Sequence, residues 1–274
     1  MSLKGYIKEN LPWIRSIYRK RLAPINLIHN IYDKPVVVLL YHRVNYLNRD
    51  LFNINVTPDN FERHIRILKN HYNVITFNDL KRNDIKEPSV IITFDDGYYD
   101  NYKYAFPILK KYQVPATIFI TSGGVDTGKE FWWDRLETVL FENKNLRESI
   151  ELDILNQRHI FDVSDDKKRL HSFYTLHHML FSLHPNERDM MLDRWYESYG
   201  LKVNPNNRTM TSSELIELYQ SQLVTLGAHT IHHPALKQIS REEQIQEIQS
   251  SKLFLENLLH TDIDIFAYPF GHKE

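Results

Sequence analysis

Short apolar runs alternate with amphipathic stretches along most of the chain. The runs are VVVLLY at Val36 to Tyr41, NVITF around Val74, SVIITF ending at Phe94, ATIFIT at Ala116 to Thr121, LVTLGA ending at Ala228 and DIFAY ending at Tyr268. Brevity and near-continuous hydrophobicity are the marks of strands buried on both faces of a parallel sheet. Between them, helical spacing predicts helices over Pro58 to Asn70, Asn101 to Tyr112, Ser212 to Gln220 and Ser240 to Leu259. The first opens on the cap-like Thr57. The last opens on Ser240 with Glu243 three residues later, a capping-box pattern ahead of apolar Ile245, Ile248, Leu253 and Leu255. Repeated βα units of this kind predict a parallel α/β sheet or barrel. The rhythm breaks over about 131-207, where FWWDRLETVLF, the Phe173 to Leu183 region and Asp189 to Tyr199 all read as helical, so a helical insertion is expected there.

Composition narrows the chemistry. The chain has 274 residues, 42% of them hydrophobic, enough for one α/β barrel or two small domains. Lys and Arg number 34 against 35 Asp and Glu, so no global charge steers the molecule to nucleic acid or an anionic membrane. There is no cysteine, which excludes disulfides and thiolate metal sites and leaves His, Asp and Glu as metal ligands. No apolar run approaches the ~20 residues of a transmembrane helix, and the N-terminus lacks the apolar core of a signal peptide. Cytoplasmic residence is the resulting expectation. Leu11, Trp13, Ile14, Ile17 and Tyr18 fall at helical spacing among basic residues. Residues 1-33 are therefore read as an N-terminal helical extension, packed on the domain or touching a membrane surface through residues 11-18.

Three constellations sit where predicted strands end. Thr93-Phe94-Asp95-Asp96-Gly97 runs from an apolar strand into two adjacent carboxylates. In an α/β architecture the C-terminal ends of strands are where ligand sites form. Adjacent carboxylates repel, so keeping both ionised requires a cation or many donors; one acid can bind a metal while the other accepts a proton. The plain alternative is a strand-ending Asp-Gly turn. His229-Thr230-Ile231-His232-His233-Pro234 follows LVTLGA, and the i,i+4 pair His229 and His233 can converge on one point, with His229 and His232 as the competing pair. Phe266 to Gly271 places Tyr268-Pro269-Phe270-Gly271 as a rigid turn able to present a backbone N–H.

In this order the three motifs resemble the polysaccharide deacetylases of carbohydrate esterase family 4. VVVLLYHRV at Val36 to Val44 is similar to a first strand of many bacterial members, and FWWDRLETVLF to members associated with surface polysaccharides. The resemblance covers residues 34-274 and implies a distorted (β/α) barrel. It also implies Asp95 as the catalytic base and Asp96, His229 and His233 as ligands of one divalent metal of the zinc type. The Phe270 N–H would be an oxyanion donor, with Tyr268 and His42 as substrate contacts. The activity implied is removal of N-acetyl groups from amino sugars of a polysaccharide or its precursor, and the implied partner is an N-acetylated glycan. Trp132 and Trp133 of the insertion would be available to stack on sugar rings, if the insertion is a lid rather than a cap.

Two departures stand out. Ala267 occupies the position where many members carry Arg, and the chain stops at His272-Lys273-Glu274, directly after the third motif. The family's general acid lies in a later motif, so the expectation is an incomplete barrel from a truncated or degenerate member, with His42 or His272 as substitute acid. The alternatives are a catalytically inactive carbohydrate- or partner-binding member and a hydrolase of a small cyclic amide.

Overall fold

The computed structural model describes residues 35–271 except 83, 84, 86, 155 and 156. The N-terminal extension, its 11-18 stripe and His272 lie outside the described residues. In chain order the elements begin with β1 (Val36–Tyr41), β2 (Arg43–Val44), β3 (Asn55–Val56), α1 (Pro58–His71), β4 (Asn73–Val74), α2 (Phe77–Lys81) and β5 (Ser89–Phe94). A π-helical turn at Asn101–Ala105 leads into α3 (Phe106–Tyr112), followed by β6 (Ala116–Ile120) and α4 (Trp132–Glu137). Next come β7 (Ser149–Ile154), β8 (Gln157–Asp162), α5 (Asp166–Phe181), α6 (Pro185–Tyr199), α7 (Ser212–Gln220), β9 (Val224–Ala228) and α8 (Arg241–Leu259).

The main sheet is parallel in the order β1-β5-β6-β9, with β4 added beside the start of β5. Its central strands β5 and β6 are buried at every position, as their unbroken apolar sequence dictates. Ile92, Phe94, Ile118, Ile120 and Leu226 form a core with Phe61 and Ile65 of α1, Leu109 of α3, Leu215 of α7 and Leu255 of α8. Each such side chain contributes roughly 1.5–3 kcal/mol of burial. Thr57, Thr76, Thr211 and Ser240 each accept a backbone N–H of the helix that follows, so the polar residue ahead of each amphipathic run sets its start.

Three expectations change. First, β1 lies at the sheet edge, with Val37, Val38 and Leu40 50%, 49% and 54% exposed; its apolar run signals a strand but not two covered faces. Second, DIFAY makes only a single parallel bridge, Ala228 to Phe266, in place of a full strand; the sheet does not close into a barrel among the described residues, in agreement with the incomplete barrel expected. Third, the insertion is not purely helical. β7 and β8 pair antiparallel from Ser149–Asp162 to Ile154–Gln157, and Ile150, Leu152 and Ile154 alternate inward with period two. That alternation is carried by three residues between charged ones, too weak to compete with the flanking helical patterns. The insertion has its own core, including Leu136, Leu140, Phe173, Leu176 and Leu192. Trp132 and Trp133 are 3% and 6% exposed within it, so they pack and are not presented for stacking on a ligand.

Candidate metal centre

Parallel strands put their C-terminal ends on one edge of the sheet, and the three constellations meet there. Asp96, His229 and His233 are all buried, and one ligand atom from each lies within 4.8 Å of the others. Asp96 Oδ1 stands 3.6 Å from His229 Nε2 and 3.2 Å from His233 Nε2. No hydrogen-bond geometry satisfies that oxygen, which is left as a buried orphan. His229 Nδ1 is 2.9 Å from the Ala267 carbonyl, which can only accept, so Nδ1 carries the proton and Nε2 turns a lone pair toward Asp96. A carboxylate oxygen facing an imidazole lone pair is repulsive without a cation between them. The residues therefore fit a divalent metal, and an oxygen and two nitrogens suit a zinc-type ion with open positions.

The backbone is bent hard to achieve this. Asp96 (φ 75°), Thr230 (φ 65°), His233 (φ 52°) and Phe270 (φ 61°) all adopt the left-handed conformation, which costs a residue with a side chain of order 1 kcal/mol or more. All four fall within the three motifs. Gly97 at φ 84° completes the first turn, where a Cβ would also come 3.1 Å from Ile120 Cδ1. The histidine loop is pinned from outside by Glu247 of α8. One of its oxygens accepts from the N–H of Ile231 and of His232 at 2.8 and 2.9 Å, and the other lies 2.7 Å from His232 Nδ1. His232 is thereby turned away from the cluster, which decides between the two possible histidine pairs. The α8 stripe that faces inward is Glu247, Ser251, Leu255 and Leu259, whereas Ile245 and Leu253 of the expected apolar face are exposed. Polar Glu247 faces inward because the loop needs an acceptor, and that need is invisible to hydrophobic periodicity.

Electrostatics follow from burial. Desolvation alone raises the Asp96 carboxyl, but the two imidazoles of His229 and His233 close against it outweigh that and hold the group well below the usual carboxylate range. Asp95 is half-buried and shifts up, first through desolvation and then through the charge of Asp96, with His229 and His42 opposing. His42, half-buried after β1, is close enough for its charge to act on both acids, and its carbonyl accepts from Asn101 Nδ2 at 2.9 Å. The Phe270 ring lies 4.5 Å from that of His233, so the third motif packs directly on the cluster. Tyr268 points elsewhere: it is 69% exposed and meets Phe266 edge to face.

Behind the site lies a buried network that the sequence reading missed. Arg43 Nε donates to Asp100 at 2.9 Å, Nη1 to Asp134 at 3.3 Å and Nη2 to Asn207 at 2.8 Å. The Tyr98 hydroxyl donates to Asp134, Trp133 Nε1 donates to Tyr98, and Trp133 sits 5.1 Å from His233. Strand-end Arg43 is thus tied through the insertion to a candidate ligand. The only sequence signal was its place beside His42 in YHRV.

Comparisons with known proteins agree with this geometry. The polysaccharide deacetylase family matches residues 82–145 and 190–274, more than half of the chain. The unmatched stretch between them holds β7, β8 and α5. YxkH of Bacillus subtilis is 42% identical over 96 residues, 32% of this chain and 33% of that protein. A poly-β-1,6-N-acetyl-D-glucosamine N-deacetylase of Staphylococcus aureus is 36% identical over 110 residues, 34% of this chain and 38% of that one. The aligned stretches thus span little more than a third of these relatives. Among solved structures, IcaB from Ammonifex degensii superimposes with a TM-score of 0.54 at 18% identity, over 88% of this chain and 77% of that one. A Bacillus cereus polysaccharide deacetylase gives a TM-score of 0.54 at 20% identity, over 87% and 52%. At these identities the superpositions speak to fold, and the fold is that of the deacetylases. With its three strand-end motifs converging on one cluster and more than half of its length matched, the chain belongs to the polysaccharide deacetylase family.

Proposed function

We propose that this protein is a metal-dependent hydrolase that removes N-acetyl groups from the amino sugars of a polysaccharide or its precursor. The observation that carries the reading is the buried Asp96, His229 and His233 cluster with its unsatisfied Asp96 oxygen. In this reading Asp96, His229 and His233 hold one divalent ion of the zinc type. Such an ion polarises a carbonyl and activates water. Asp95, adjacent but outside the cluster, accepts the proton of the attacking water. The departing amine needs a proton, and His42, whose charge is felt by both acids, is the candidate donor among the described residues. The left-handed Phe270 turn, packed on His233, is the candidate source of a backbone N–H for the developing oxyanion. A poly-N-acetylglucosamine substrate is supported by the activity for which the staphylococcal relative is named.

The test is acetate release from N-acetylglucosamine oligomers. Turnover is expected to stop on chelation and return with zinc, and Asp95→Asn should lower it about 10²–10⁴-fold. Acetate release indifferent to both would overturn the reading.

A further inference from the structure

Arg188 of α6 is a cation without an adequate partner. It is 4% exposed, and its Nε has no hydrogen-bond partner. The nearest carboxylate oxygen paired with it, Asp189 Oδ1, is 3.8 Å away on a half-exposed neighbour. Its guanidinium lies 4.7 Å over the Trp132 ring, which offsets part of the desolvation. Burial nonetheless pushes it down to about 10. Glu247 lies near enough to act on it electrostatically, but both of its oxygens already serve the histidine loop. A buried charge left so incompletely compensated is costly, and a bound counter-charge removes the cost.

The residue borders a cavity of about 140 Å³. His233 and Phe270 form its inner end, while Phe181, Leu183 and Ile239 give it apolar walls. It has room for several waters and for a two-carbon carboxylate. Ser182, His184, Gln238 and Glu243 line it as well; Glu243 accepts from the Ser240 N–H and stands 3.7 Å from His184 Nε2, so Arg188 is the buried charge that a carboxylate with a methyl group would match. Arg188 lies in the stretch that the family match omits, whereas His233, Ile239 and Phe270 lie within it.

We propose that Arg188 forms a small-carboxylate pocket beside His233, and that it takes acetate or an acetate-sized carboxylate. Naming acetate rests on the deacetylase reading, because acetate is the product of that reaction. A carboxyl substituent on the glycan is the other source of the same chemistry.

The probe is acetate, titrated by NMR into the full chain after chelation, so that no metal contributes. Acetate binding is expected to persist without metal and to weaken at least tenfold in Arg188→Gln. It should be retained within about threefold in Arg188→Lys and be lost in Ile239→Phe, which fills the cavity and leaves Arg188 in place. If Arg188→Gln does not fold by circular dichroism, Ile239→Phe decides. Binding that vanishes on chelation, or that ignores Ile239→Phe, overturns the proposal. For the loaded protein, a rise in the acetate inhibition constant in Arg188→Gln assigns the pocket to product. A KM change confined to carboxylated glycans assigns it to substrate. Because the titration needs no turnover, a protein that binds acetate through Arg188 but deacetylates nothing would refute only the functional reading.

Discussion

Glu247 offers the sharpest test of how the metal cluster is held, because it touches no ligand side chain of that cluster. A single oxygen accepts both backbone N–H groups of the histidine loop, at 2.8 and 2.9 Å, and the second oxygen meets His232 Nδ1 at 2.7 Å. Glu247→Ala strands two part-buried amides, at the low end of about 1–3 kcal/mol each, so a loss of about 2–3 kcal/mol is expected. For a domain of this size that lowers Tm by roughly 5–10 °C. The left-handed Thr230 and His233 then lose their restraint, and an outer support of this kind is worth about 10–100-fold in metal affinity, or about 1.4–2.7 kcal/mol. Glu247→Gln keeps one oxygen able to accept both amides, so its metal affinity should stay within about threefold of the parent. The assay is zinc competition titration together with thermal melting of parent, Gln and Ala variants. If Ala lowers Tm while metal affinity is unchanged, or if Gln is as damaging as Ala, the loop is not what positions the ligands. The pH dependence has a definite sign. Burial raises the Glu247 carboxyl, but His232 and the two amides outweigh it and hold the group below its ordinary value. Its stabilisation is therefore complete above about pH 4.3, the unfolded value, and is lost as pH falls through the lowered folded value.

Zinc at about 100 times its dissociation constant should add about 2.7 kcal/mol to the folded state, raising Tm by roughly 5–10 °C; Asp96→Ala should abolish that rise, as differential scanning fluorimetry would show. Arg43→Met removes one partner from a buried ion network with Asp100 and Asp134 and should cost about 3–5 kcal/mol by urea unfolding, far more than an exposed substitution such as Lys144→Met. Gly97→Ala forces a Cβ into a φ of 84° beside Ile120 and should destabilise by more than about 1 kcal/mol, with weaker zinc binding because Asp96 forms the same turn.

Much of this architecture is written in local sequence. Strands β5, β6 and β9 are continuous apolar runs, and α1, α7 and α8 begin where Thr57, Thr211 and Ser240 cap them, because strand burial and helix capping are decided within a few residues. The acids and histidines at strand ends were equally visible, since a parallel sheet necessarily gathers its C-terminal ends on one edge. What separation in sequence concealed was everything that depends on which element lies alongside another. The apolar run of β1 cannot reveal that the strand forms an edge, and the three inward residues of β7 cannot reveal their antiparallel partner. Nor could the sequence show that Trp132 and Trp133 are consumed by packing, or that His232 is claimed by Glu247 fifteen residues later. The carbonyl of Ala267 fixes the protonated nitrogen of His229 from 38 residues away. The sequence alone determined the kinds of groups available and the strand ends that carry them. Tertiary structure decided which nitrogen of His229 faces Asp96, because that buried ring's orientation is set by the acceptor packed against its far side.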